Sequence, residues 1–394
     1  MKTSFTKNIF KIIIISFTLI ACETPSDISG KLENVKNKNL KIYLIQPEKL
    51  RDVSASYLGK VIDSATVQPD GGFEFNNLPK AKTPVLFELA LQQPDKHANY
   101  LQTDNPAKSN FMPIVWEPGK PIKITSTLSD FQNHFSIENP SEINRALLDL
   151  KTISQKAYQT HLSGKHWDLK DGDQLLDKEH SMLQYQTALI HFANNTPHLL
   201  PALVATRWVS PVNDYERVPE FLVNQCNTWT KKTPNHPWVQ QLCKLSKPEN
   251  LPVLIGDEFP NITLPTINND SISIKNQLGS KLTIIDLWAS WCAPCRKENR
   301  DVLVPLWDTY HNKGLQVIAY ALESNRATWL AAAEHDGANR WIQISDLQGD
   351  DAPFLKSIRV QTIPANFILN DKGVVIAKNI HREDLINWVK NYIK

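Results

Sequence analysis

Five cysteines occur, at positions 22, 226, 243, 292 and 295, and only the last two stand at C-x-x-C spacing, in Trp291-Cys292-Ala293-Pro294-Cys295. Such a pair can hold a metal, bind haem covalently, form a static cross-link or cycle between dithiol and disulfide. Structural zinc takes about four ligands. There is no second C-x-x-C, and the nearest histidine, His311, lies sixteen residues beyond Cys295. Haem attachment places His directly after the second cysteine, where this chain has Arg296. No metal or cofactor is therefore expected. A structural disulfide and a redox pair remain.

The flanking pattern places the pair on a specific junction. Thr283 to Leu287 is an apolar, strand-like run. Leu303, Leu306, Trp307 and Tyr310 then share one helical face, and Leu315 to Ala321 is a second apolar strand. Strand, helix and strand in this order make a βαβ unit, so a mostly parallel sheet with helices on its faces is expected. Asp371-Lys372-Gly373 marks a hairpin, and Leu385, Trp388, Val389 and Tyr392 a closing amphipathic helix. Cys292 falls where the first strand ends and the helix begins, facing backbone N–H groups without helical partners. Lowering a thiol from about 8.5 to about 7 needs ~2 kcal/mol, and a helix terminus usually supplies about 0.3–1. A hydrogen bond from the Cys295 thiol would have to supply the rest. A redox pair is favoured over a static cross-link by this placement.

The whole chain has 394 residues, too many for one core, which suggests two to three folded units. Hydrophobic residues make up 41% and charged residues 21%, which fits globular domains and neither a disordered nor a wholly membrane-embedded chain. The formal charge is +2, and −1 without Lys2, Lys7 and Lys11, so bulk electrostatics give no reason to expect a nucleic-acid partner. Those lysines precede an apolar run from Ile12 to Ala21, a secretory signal pattern too short to span a bilayer. Residues 1–21 are read as this signal and 22–29 as a tether. Short alternating runs over 30–139 predict a β-rich sandwich or small barrel, in which Gln68-Pro69-Asp70-Gly71-Gly72 has the residues of a tight hairpin. Helical spacing over 140–249 predicts an α-helical middle region. The proline-containing segment Lys247 to Pro252 separates it from a C-terminal α/β domain at 253–394.

Cys226 and Cys243 flank the turn Thr233-Pro234-Asn235-His236-Pro237 at nearly equal distances. If antiparallel helices flank that turn, the two cysteines lie at the same level, on faces shared with Trp229 and Leu242. A structural disulfide is expected, the alternative being two buried thiols.

Two stretches carry family resemblances. Leu19-Ile20-Ala21-Cys22 resembles the bacterial lipoprotein signal, which implies that Cys22 is acylated and anchors the protein to a membrane of the cell envelope, facing the periplasm. Asp286-Leu287-Trp288-Ala289-Ser290-Trp291-Cys292-Ala293-Pro294-Cys295 resembles the active site of thioredoxin-fold proteins, most closely the TlpA/ResA-like thiol-disulfide oxidoreductases. Gly256-Asp257-Glu258-Phe259-Pro260 resembles that family's opening hairpin, and Val360-Gln361-Thr362-Ile363-Pro364 its cis-proline segment. The β-rich region is similar to a module of unknown role found ahead of such domains in lipoproteins.

The resemblance implies a thioredoxin-like fold for 253–394 and assigns roles by position. Cys292 would attack a disulfide and Cys295 would resolve the mixed disulfide. Asp286 matches a buried carboxylate that moves the proton of the second cysteine, although a water-exposed strand end is also open. Glu298 matches an acidic position near the site, or is a solvated acid in the helix's first turn. Ile363 and Pro364 would meet substrate backbone, with Trp291 flanking the sulfur or merely packing. The implied partners are protein thiols and disulfides, with an upstream thiol donor or acceptor.

Two departures stand out. Arg300 occupies a position where many relatives have proline, and the later Pro305 should move the helix kink. Ile285 and Ala289 stand where a peroxiredoxin-type site has Pro and Thr or Ser, so a thiol peroxidase is a weaker alternative. A lipoprotein binding module with a vestigial redox domain is another.

Overall fold

The computed structural model describes residues 27–394 except 36–38, 55–57, 104, 169–171 and 269. Cys22 and the expected signal lie outside the described residues. The first region is a sandwich of two four-stranded sheets built from β1 (Ile28–Glu33), β2 (Lys41–Gln46), β3 (Lys60–Thr66), β4 (Gly72–Phe75), β5 (Val85–Gln92), β6 (Phe111–Trp116), β7 (Ile122–Thr127) and β8 (Ser136–Ile137). One sheet has the order β4-β1-β7-β8 and the other β3-β2-β5-β6. Ile28, Phe75, Phe87, Ile114 and Phe135 are among the apolar side chains buried between them.

Three details correct the sequence reading. Ile28 is fully buried in this core, so the folded body begins inside the stretch 22–29 expected to be a tether. The turn at 68–72 is tight, with Gly71 N–H donating to Gln68 O, but it does not make a hairpin, because β3 and β4 belong to different sheets. It hands the chain across the sandwich. Gly71 is required there: its φ is +88°, and a Cβ would meet Leu32 O at 2.0 Å. Thirdly, none of the short runs that read as strands in the sequence, 40–45, 64–67, 73–75, 85–90 and 122–125, covers β6. β6 is an edge strand buried along its whole length, so it shows no alternation, and Pro113 interrupts its otherwise strand-like composition.

The middle region consists of α1 (Glu142–His161), α2 (Gly172–Asn195), α3 (Leu199–Val209), α4 (Pro219–Lys232) and α5 (Pro237–Leu245). Asn144 of α1 closes the β6 edge, accepting from Val115 N–H at 2.9 Å and donating to Val115 O at 2.7 Å. Helices α4 and α5 pack against each other across the 233–236 turn, and Cys226 and Cys243 are disulfide-bonded with Cα atoms 5.0 Å apart.

The C-terminal region contains a short hairpin, β9 (Thr263–Pro265) with β10 (Ser271–Ser273), and a five-stranded sheet. The sheet strands are β11 (Leu282–Trp288), β12 (Leu315–Ala321), β13 (Ile342–Ile344), β14 (Ala365–Asn370) and β15 (Val375–Lys378), in the order β13-β12-β11-β14-β15. β11, β12 and β13 are parallel, while β14 and β15 run antiparallel to their neighbours. The helices are α6 (Ala293–Glu298), α7 (Val304–Tyr310), α8 (Arg326–His335), α9 (Pro353–Ile358) and α10 (Arg382–Tyr392). Between α6 and α7, Asn299–Leu303 forms a π-helical turn in which Val304 N–H reaches back to Asn299 O. The irregularity sits immediately before Pro305, which can donate no backbone hydrogen bond. Every residue of the central strand β11 is buried.

Candidate active site

The site grows from the C-terminal end of β11. The chain leaves the sheet at Trp288 and turns through Ala289 and Ser290, where Cys292 N–H donates to Ala289 O at 3.1 Å. Cys292 then caps α6, and Arg296 N–H donates to its carbonyl at 3.0 Å. Pro294 fits the first turn, where its missing N–H has no partner to lose. Cys292 and Cys295 are disulfide-bonded, and Cys295 N–H lies 3.3 Å from Cys292 Sγ. In the reduced pair that amide would donate to a sulfur anion. Both cysteines are buried, while Trp291 is 64% exposed.

The opposite wall comes from the segment before β14. The Ile363–Pro364 peptide is cis. Ala365 pairs with Leu287, so Pro364 stands at the same end of the sheet as the cysteine loop. Asp286, at the centre of β11, is flanked by Ala319 and Asn366 in register and is buried rather than exposed to water. Burial, and secondarily the nearby Glu298 charge, hold its carboxyl well above the usual carboxylate range. Glu298 is buried too, not solvated. It accepts from Arg382 N–H at 3.2 Å, at the start of α10, and its other oxygen lies 2.8 Å from His381 Nδ1.

Residues 254–391 match the Redoxin family. Over 145 residues the chain is 27% identical to the thiol:disulfide interchange protein DsbE of Pseudomonas fluorescens biotype C, covering 36% of this chain and 75% of that protein. It is 29% identical over 132 residues to sporulation thiol-disulfide oxidoreductase A of Bacillus subtilis (strain 168), covering 32% and 76% respectively. A solved thiol-disulfide oxidoreductase from Bacteroides fragilis NCTC 9343 is similar at 26% identity and a TM-score of 0.32, over 34% of this chain and 98% of that one. The protein is an oxidoreductase whose C-terminal domain is similar to TlpA/ResA-like thiol-disulfide oxidoreductases.

Within this oxidoreductase domain, several site neighbours carry no signal in the sequence. Ser290 is fixed at both peptide groups: its N–H donates to Glu323 and its carbonyl accepts from Arg296 Nη1 at 3.1 Å. Arg296 is held in turn by the buried Asp336, which also accepts from Arg300 at 2.8 Å. Burial alone would raise the Asp336 carboxyl, but hydrogen bonds from Arg296, His335 and Arg300 keep it below the usual range. This network stiffens the turn that presents Trp291 and Cys292. Glu323 and Asp336 stand 33 and 40 positions from Ser290 and Arg296, so spacing could not find them. Among the described residues no cluster of three or more His, Cys, Asp or Glu side chains is arranged to hold a metal.

The Asp286–Glu298 interaction gives a directional prediction. Glu298→Gln removes the negative charge that disfavours ionisation of Asp286, so the proton on Asp286 should be lost at lower pH. Carboxyl-region infrared difference titration of the folded protein should show the Asp286 signal shifted to lower pH than in the parent. An unmoved or raised titration would show the two carboxyls to be uncoupled.

Proposed function

We propose that the protein is an exported, lipid-anchored enzyme that reduces or exchanges disulfides in other exported proteins through Cys292 and Cys295. In the reducing direction the Cys292 thiolate attacks a substrate disulfide, forms a mixed disulfide and expels one substrate thiolate, which takes up a proton. Cys295 then gives its proton to Asp286 in its carboxylate form, attacks Cys292 Sγ and expels the second substrate sulfur as a thiolate, which takes up a proton from water. Two electrons pass to the substrate and the pair ends as a disulfide, which an upstream dithiol protein returns to the reduced state. Glu298 sustains the proton affinity of Asp286, while Ile363, Pro364 and Trp291 form the surface met by substrate. Cys22 is the acylation site that holds the molecule in the bacterial cell envelope, with 30–139 and 140–249 as accessory regions ahead of the redox domain at 253–394.

The observation that carries this reading is the placement of the cysteine pair. It caps a helix at the end of a fully buried central strand, with the cis Ile363–Pro364 peptide at the same sheet end. A static cross-link needs neither feature. Replacing Cys295 with Ala removes the resolving sulfur, so mixed disulfides with protein substrates should accumulate and be released by reductant. Absence of such adducts with a reducible protein disulfide such as insulin would remove the proposal.

A further inference from the structure

The helical middle region does not merely precede the redox domain; it grips the segment that ends in the cis peptide. The loop between α3 and α4 supplies two adjacent residues of opposite charge. Glu216 accepts with one carboxylate oxygen from Gln361 N–H at 3.0 Å and with the other from Thr362 N–H at 3.1 Å. Arg217 donates to Pro364 O at 3.0 Å and to Asn379 Oδ1 at 2.9 Å, and its Nε is paired with Glu179 of α2 at 2.7 Å. Four consecutive residues, 361–364, are thus held at both ends by an acid and a base. Between those contacts lies Ile363, and neither of its peptide groups has a hydrogen-bond partner among the described residues.

An extended chain can pair with such a free N–H and C=O. We propose that Glu216 and Arg217 are positioning residues for disulfide exchange, holding 361–364 so that the Ile363 peptide is presented to an incoming extended polypeptide beside Cys292. This rests on the exchange reading of the cysteine pair and adds that the substrate site is completed by the helical region. The grip is itself anchored. Within the same loop, Asp214 N–H donates to Ser210 Oγ at 2.8 Å, and Tyr215 hydroxyl donates to Thr206 O at 2.9 Å. Arg217 and Glu179 are mostly buried, which strengthens their pairing.

The test uses the full chain with insulin as disulfide substrate and dithiothreitol as electron donor. Glu216→Ala and Arg217→Ala should each raise KM about tenfold, the effect of a displaced backbone segment, and leave alkylation of reduced Cys292 by iodoacetamide unchanged. Glu216→Gln, which keeps one acceptor oxygen, and Arg217→Lys, which keeps the charge without the fork, should fall between these variants and the parent. They also serve if the alanine variants fold poorly. Asp177→Asn breaks a different contact between the regions, the pair with Arg382, and should leave KM unchanged. The proposal is overturned by an unaltered KM in the Glu216 and Arg217 variants, by a KM that falls, or by an equal rise in Asp177→Asn. Failure of the parent itself to reduce insulin would instead remove the exchange reading.

Discussion

Arg207→Ala is expected to destabilise the middle region by about 3–5 kcal/mol, through the loss of several hydrogen bonds from one buried charged donor, each worth about 1.5–3 kcal/mol before relaxation. Arg207 is 1% exposed, and all five of its N–H groups are engaged. Nε donates to Val53 O, Nη2 to Arg51 O and Pro211 O, and Nη1 to Ser210 O and Asn213 Oδ1. The guanidinium therefore ties the sandwich to the very loop that carries Glu216 and Arg217. Alanine leaves the buried Val53 carbonyl and the partly buried bonds to Arg51 O and Pro211 O without this donor, while Ser210 O keeps the Asn213 N–H; a buried acceptor left unpaired costs about 1–3 kcal/mol. Lysine cannot reproduce the fork and should recover only part of the loss. Urea unfolding followed by tryptophan fluorescence, with the first transition compared between variants, measures this. A midpoint equal to that of the parent would show that the five bonds carry no net stability.

Asp286→Asn should slow exchange by about 10²–10⁴-fold, the usual contribution of a positioned acid-base group, because amide cannot take the Cys295 proton. The same change should stabilise the oxidised protein at neutral and higher pH. The sign follows from proton counting. Asp286 holds its proton in the folded state well above the pH at which an exposed carboxyl loses it, so in that window the native state binds more protons than the unfolded chain. Its stabilising contribution is therefore complete at low pH and is lost as pH rises through its folded-state value, at up to about 1.4 kcal/mol per pH unit. Asparagine abolishes this dependence. Stopped-flow kinetics of insulin reduction and urea unfolding at several pH values check the two halves. A variant with full activity would remove Asp286 from the proton pathway, and an unchanged slope of stability against pH would remove its buried proton.

How much was legible in the sequence varies with the range of the interactions involved. The C-x-x-C pair, the strand ahead of it and the helix after it could be read because their cause is local. The mainly apolar run Thr283 to Leu287 reports burial on both faces, and a cysteine pair three residues apart reports one helical turn. The Cys226–Cys243 geometry was readable for a similar reason, since a short turn fixes the register of the helices that flank it. Strand β6 was not, because its burial comes from α1 packing over an edge whose own composition includes proline. Nor was the crossing at 68–72, since a tight turn has the same residues whether the strands beside it pair or part.

The sequence by itself singled out the cysteine pair as the candidate for redox chemistry and determined the strand-to-helix junction on which it sits. The tertiary structure decided their surroundings: that Asp286 and Glu298 share one buried space, that Arg296 and Glu323 fix the turn at Ser290, and that Glu216 and Arg217 meet the cis-proline segment from 145 or more positions away. The physical reason is that a single carboxylate or guanidinium is equally at home in solvent. Only the loss of water on packing turns it into a group that must find a partner, and no spacing rule says which partner the fold will bring.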